Sequence, residues 1–196
     1  MIIWINGAFG AGKTTTAYEL HRRIPGSYVY DPENIGYFLR KNMPKRLWKN
    51  DFQDHEAWRA MNVSMLQTLS REFQGVIIVP MTIVNPQYFD EIIQRLRDEH
   101  VDIRHFALLA SKETLLKRLR SRGDGQQSWP AQQIERCISS LSLEMFQTHL
   151  YTDQLTTEEI INQIAQACGI ELQPDNRGKL RKKMDRLITQ IKHIRI

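Results

Sequence analysis

The chain alternates short apolar runs with longer segments in which apolar residues return every three or four positions. The runs Ile2 to Ile5, Ser27 to Tyr30, Val76 to Val79 and Ile103 to Ala110, with a weaker one at Leu150 to Thr152, have the length of buried strands. Helix-period stretches fall near residues 14–23, 33–42, 54–74, 86–99, 112–122, 132–147 and 157–168. Their ends carry capping chemistry. Asn85 precedes Pro86 at a first helical position, Ser111 precedes Lys112-Glu113-Thr114, and Thr156 with Glu159 spells a capping box on a helix that stops at Gly169. This alternation predicts an α/β fold, a mostly parallel five-stranded sheet with helices on both faces, whose binding sites lie at the carboxyl ends of the strands.

With 196 residues, 41% hydrophobic and 25% charged, the chain is an ordinary globular sequence, too short for two full domains and too apolar for disorder. No apolar run approaches the roughly 18 residues that cross a bilayer. Met1 to Ile5 has no basic region before it and no small-residue cleavage site after it, so it reads as a strand and not as a signal peptide, and a cytoplasmic location is expected. Cys137 and Cys168 lack CxxC spacing and the six histidines are dispersed, which argues against a disulfide scaffold or a zinc site.

Charge divides the chain in two. Residues 177–196 hold eight Lys or Arg and one acid, against a net charge of +5 for the whole. A slightly acidic body with a basic tail is not the footprint of a protein that reads nucleic acid across its main surface. The turn-rich stretch Gln173-Pro174-Asp175-Asn176 separates a body over 1–172 from a tail over 177–196. On a helix, Leu180, Met184, Leu187, Ile191 and Ile194 form a stripe that Ile188 widens, with most basic residues on the remaining surface. That pattern suits a helix lying in a membrane interface, and equally a seam that docks on protein.

The strongest chemical signal sits at the first strand-to-helix junction. Gly7-Ala8-Phe9-Gly10-Ala11-Gly12-Lys13-Thr14 matches the phosphate-loop pattern GxxxxGK[ST], with a strand before it and Thr15 opening a helix after it. The spacing predicts a nucleotide cradle over residues 7–15. Its backbone N–H groups would face an anion, Lys13 would serve the β and γ phosphates, and the Thr14 hydroxyl would ligate Mg²⁺.

Asp31, at the end of the second strand, is a candidate proton acceptor or anchor for a metal-bound water, and equally a turn aspartate ahead of Pro32. Arg118 and Arg122, and Arg136 beyond the polar loop Gly123 to Pro130, suit a lid that brings positive charge to a moving phosphoryl group, although any one of them could be a solvated cation. Between the second and third strands, Trp48, Phe52 and Trp58 with several methionines suit either a pocket for a partly apolar ligand or plain core. The third strand runs into Pro80-Met81-Thr82 without the acid of a simple Walker B pattern, which leaves Asp31 as the substitute.

Five stretches carry a resemblance over the whole chain: IIWINGAFGAGKT at 2–14, YVYDPE at 28–33, IVPMTIV at 78–84, ASKETLLKRLR at 110–120 and HIRI at 193–196. Through them the sequence resembles the bacterial tunicamycin resistance proteins, an ATP-binding family of the phosphate-loop kinase-like group. The resemblance implies ATP binding, resistance to a lipidated nucleoside antibiotic and peripheral membrane association through the C-terminus. In plan the chain is also similar to chloramphenicol phosphotransferase and shikimate kinase, which implies roles for Lys13, Thr14, Asp31, Arg122 and Arg136. The expectation is an ATP- and Mg²⁺-dependent protein that binds a tunicamycin-like drug and phosphorylates a hydroxyl on it. Two alternatives stay open: ATP-gated sequestration of the drug without phosphate transfer, and a small-metabolite kinase with a nucleic-acid-binding tail.

Overall fold

Both faces of β1 (Ile2–Gly7) are buried, and that follows from its place at the centre of the sheet. The computed structural model describes residues 1–125 and 127–192, the last helix at 179, 183, 187 and 190–192 through its backbone alone. β2 (Tyr28–Val29), β3 (Ile77–Pro80), β4 (Ile103–Leu109) and β5 (His149–Tyr151) complete a sheet of order β2-β3-β1-β4-β5. Every pairing is parallel; Ile2 faces Ile77 on one side and Ile103 on the other. Neighbours β3 and β4 on opposite flanks of β1 make its carboxyl end the crevice where a parallel sheet receives ligands.

The helices are α1 (Lys13–Arg23), α2 (Glu33–Asn42), α3 (Glu56–Glu72), α4 (Pro86–Phe89), α5 (Arg95–Asp98), α6 (Lys112–Arg120), α7 (Trp129–Gln132), α8 (Ile134–Leu141), α9 (Thr157–Ala167) and α10 (Lys179–Lys192). A π-helical stretch, Asp90–Gln94, joins α4 to α5 without a break, so the expected single helix forms. The predicted caps form as well: the Asn85 and Ser111 side chains accept from the backbone N–H groups of Gln87 and Thr114, and the Thr156–Glu159 capping box is complete.

Three expected helices are redrawn. The stretch 132–147 is divided into α7, α8 and a 3-10 turn, Glu144–Phe146, because Leu143 is extended. Leu141 and Phe146 are both fully buried, whereas five steps of an unbroken helix would turn them about 140° apart. The stretch 54–74 is α3 alone, with a 3-10 turn, Phe52–Asp54, ahead of it. The stretch 112–122 stops at Arg120, and Arg122 lies in the turn beyond.

Of the aromatic residues in the insert, Trp58 is core, Phe52 packs against the core and Trp48 is exposed. A Cβ on Gly36 would come within 2.6 Å of the Phe52 ring, so the glycine lets α2 lie directly on the 3-10 turn. No helix among the described residues is long and apolar enough to cross a membrane.

Candidate functional site

The loop between β1 and α1 holds its shape by backbone geometry. Gly10 and Gly12 have φ of 84° and 101°, in the left-handed region where a side chain is strained, and the Ala11 N–H between them closes a turn onto the Ala8 carbonyl at 3.1 Å. Asn6 anchors the loop. Its Oδ1 accepts from the N–H groups of Gly7 (2.8 Å) and Ile83 (3.0 Å), and its Nδ2 donates to the Ile83 carbonyl at 2.8 Å. The same Nδ2 lies 3.2 Å from His105 Nε2, while His105 Nδ1 lies 2.9 Å from the Gln147 carbonyl. A carbonyl only accepts, so the proton sits on Nδ1 and Nε2 receives the Asn6 amide. Burial lowers the His105 pKa to about 4 and keeps the ring neutral. Lys13 Nζ donates to the Ala8 carbonyl at 3.1 Å and lies 5.4 Å from the Phe9 ring centroid. Burial brings its pKa down to about 8, with Glu33 opposing the shift and Arg122 adding to it. This is a cationic, donor-lined nest, and the residues present fit a polyphosphate.

A cavity of about 680 Å³ opens in front of the loop. Lys13 and Thr14 form its floor, and Asp31, Glu33 and Asp51 stand on its walls with Arg40 and Arg122. Asp31 is held in place from below. Its carboxylate accepts from the Glu33 N–H at 3.0 Å, Trp58 Nε1 donates to the Pro32 carbonyl at 3.0 Å, and the Tyr30 hydroxyl donates to Asn62 at 2.7 Å. The capping geometry and the cavity-facing position therefore coexist at Asp31. Asp51 is an acid that the sequence reading passed over. It caps the 3-10 turn through the Gln53 N–H, burial pushes its carboxyl up, and Arg136 approaches it at 3.8 Å. Phe52 and Trp129 give the cavity an aromatic share, and Trp129 packs edge-on against Phe9 of the phosphate loop at 5.2 Å. The segment after Arg122 thus reaches the loop, as expected of a lid.

A second groove, about 240 Å³, runs from Gly10 and Gly12 past Thr15 to the turn after β5. Arg118 and Arg122 both line it. Arg118 is fixed, donating to the hydroxyl and the carbonyl of Thr152 at 3.0 and 2.9 Å, and it lines the groove together with Leu155 and Ile160. The five expected site residues divide accordingly: Lys13 and Asp31 face the larger cavity, Arg118 the groove, Arg122 both, and Arg136 stands behind Asp51. Among the described residues, no group of three His, Cys, Asp or Glu side chains gathers to hold a metal on its own.

The tail folds back onto the site. Glu19, on α1 and only 1% exposed, is met by Arg177 at 2.6 Å, Arg22 at 3.3 Å and Arg186 at 3.4 Å. Arg177 also bridges Asp175 and Asp185, and Lys182 bonds Asp175. A buried carboxylate requires such cations, so several basic residues expected on the free surface turn inward. Among the described side chains of α10, three large apolar ones are exposed beside Arg181: Leu180 at 81%, Met184 at 59% and Ile188 at 45%. Of the expected stripe, the side chains of Leu187 and Ile191 and all of Ile194 lie outside the described residues, as does the HIRI stretch at 193–196. Asn6, Thr82, Asp51 and Glu19 were not singled out in the sequence, although a Glu among Thr16, Ala17 and Leu20 on a helix's buried face is a visible anomaly.

No curated protein matches the chain. The family model of an AAA domain matches residues 2–143. Among solved structures, the tunicamycin resistance protein of Deinococcus radiodurans is 37% identical, with a TM-score of 0.76, over 89% of this chain and 99% of that one. A gluconokinase from Sinorhizobium meliloti 1021 (16% identity, TM-score 0.58, 85% of this chain and 90% of that one) shares the fold alone. So does a shikimate kinase from Bacteroides thetaiotaomicron (18% identity, TM-score 0.57, 87% and 99%). With a phosphate loop, a five-stranded parallel sheet and this relative matched over nearly all of its length, the chain belongs to the tunicamycin resistance protein family, on a kinase-like AAA-domain fold.

Proposed function

We propose that the protein confers ATP-dependent resistance to a tunicamycin-like nucleoside antibiotic by binding the drug in the larger cavity and phosphorylating one of its hydroxyls. The observation that carries this reading is the juxtaposition of Lys13, Thr14 and Asp31 on one cavity. The loop N–H groups and Lys13 hold the phosphates. Asp31 accepts the proton of a drug hydroxyl as its oxygen bonds the γ-phosphorus and ADP departs, and Arg122 balances the charge on the moving group. A Mg²⁺ ion would take the Thr14 hydroxyl and phosphate oxygens as ligands and neutralise developing charge, with Asp31 placed to hold a metal-bound water. Arg136 acts through Asp51, setting the charge of that wall.

The exposed apolar side chains of α10 support contact with a membrane surface, where a lipid-bearing drug concentrates. The inward pairing of Arg177, Lys182 and Arg186 leaves less free charge for a polynucleotide and disfavours the nucleic-acid alternative. Sequestration without transfer draws support from the end of β3, where Met81 and Thr82 stand in place of an acid.

The test is resistance itself. Drug-sensitive cells producing the parent protein should grow in tunicamycin, and cells producing folded Lys13→Ala should not. Resistance surviving in a folded variant that has lost ATP binding would contradict the nucleotide-dependent reading.

A further inference from the structure

Arg186 belongs to the C-terminal helix, yet it lines the groove beside the phosphate loop together with Gly10, Thr15, Arg118 and Ile160. Its position there is fixed by Glu19, one helical turn beyond Thr15 on α1, to which Arg186 Nε donates at 3.4 Å. Arg22 ties the same assembly together, reaching Glu19 on its own helix and the Thr189 hydroxyl on α10 at 3.1 Å. The wall of the groove is therefore finished by a segment that the sequence marks as separate from the body.

We infer that Arg186 contacts the bound nucleotide at its phosphate–ribose edge, so that nucleotide binding and docking of α10 on α1 reinforce each other. The inference rests on the proposed function's reading of the phosphate loop as the nucleotide cradle, and it places the rest of the nucleotide in the groove that Gly10, Gly12 and Thr15 of that loop and helix line. The physical argument has two parts. A guanidinium on the wall of a phosphate-binding groove is attracted to the anion that enters, and charge-assisted hydrogen bonds are the stronger kind. Because Arg186 reaches the groove only while α10 is docked, any affinity it adds for nucleotide must appear equally as nucleotide-dependent stabilisation of the docked helix.

The experiment uses the full chain and two readouts, Mg·ATP affinity by titration and backbone hydrogen exchange along 179–192. Arg186→Gln should weaken ATP binding roughly 5- to 30-fold, within the usual range of such couplings. Arg186→Lys, which keeps the charge, should recover part of the loss, and Arg181→Gln, at an exposed position of the same helix, should stay within about twofold of the parent. Saturating ATP should slow exchange along α10 in the parent and not in Arg186→Gln. The inference is overturned if Arg186→Gln binds ATP as the parent does, or if exchange along α10 is indifferent to ATP in a parent whose phosphate-loop amides are protected. A parent that does not bind ATP at all would instead remove the proposed function, and this inference with it.

Discussion

The Thr82 hydroxyl donates to the Gly7 carbonyl at 2.8 Å, joining the segment after β3 to the first residue of the phosphate loop. Thr82 thus supports the loop by hydrogen bonding at the place where a simple Walker B pattern would put an acid. Gln53 Nε2 holds the Thr82 carbonyl at 3.0 Å and Trp4 Nε1 the Met81 carbonyl at 3.2 Å, so this segment is pinned from both sides. Thr82→Val keeps the shape and strands a buried carbonyl, a loss of about 1–3 kcal/mol. Urea denaturation should show that loss and titration should show weaker binding of Mg·ATP. Parent values in both would mean that the contact is dispensable.

Lys13 gives a pH signature. Its pKa is lowered from 10.5 to about 8 chiefly by burial, so the folded protein releases this proton before the unfolded chain does, and the folded-state penalty for carrying the charge is relieved as pH rises from about 8 toward 10.5. Phosphates favour the protonated ammonium and raise its pKa again. Affinity for Mg·ATP should therefore fall above pH 8, approaching about tenfold per pH unit, with proton uptake on binding. Calorimetry in buffers of different ionisation heat measures that uptake, which should vanish in Lys13→Met.

His105 gives a second signature, in stability at lower pH. With a folded pKa of about 4 against an ordinary 6.5, the neutral ring contributes stability that is fully present above pH 6.5 and lost as pH falls toward 4, up to roughly 3 kcal/mol. Thermal unfolding followed across that window should show the decline, and His105→Gln should flatten it.

The exposed side chains of α10 predict where the protein partitions. Burying a Leu, Met or Ile side chain is worth roughly 1.5–3 kcal/mol, so replacing Leu180, Met184 and Ile188 together by Gln should lower binding to anionic vesicles by on the order of 10² or more. Co-sedimentation measures it. Vesicle binding equal to the parent's would point to the basic residues alone.

The sheet, the caps and the phosphate loop were legible because each is written in neighbouring residues: a buried run, an Asn before Pro, a glycine pattern before Lys-Thr. The interruption at Leu143 was not: Leu141 and Phe146 fall about 140° apart on one unbroken helix, but nothing local shows that both must be fully buried. Asp51 and Thr82 escaped for a related reason. Each lies in irregular backbone, and each acquires its role from a partner far away in sequence, Arg136 for one and Gly7 for the other. The tail reads as amphipathic in sequence, but where its charged residues point depended on Glu19, and no local pattern connects residue 19 with residues 177 and 186.

Transfer of phosphate to the drug would show in the mass of tunicamycin recovered after incubation with the protein and Mg·ATP. The expected product is heavier by one phosphoryl group, formed with matching release of ADP, and at least about 10²-fold more slowly by Asp31→Asn, the usual scale for losing a general base. Drug recovered unchanged from a complex that holds both drug and ATP would contradict phosphate transfer and leave sequestration as the function.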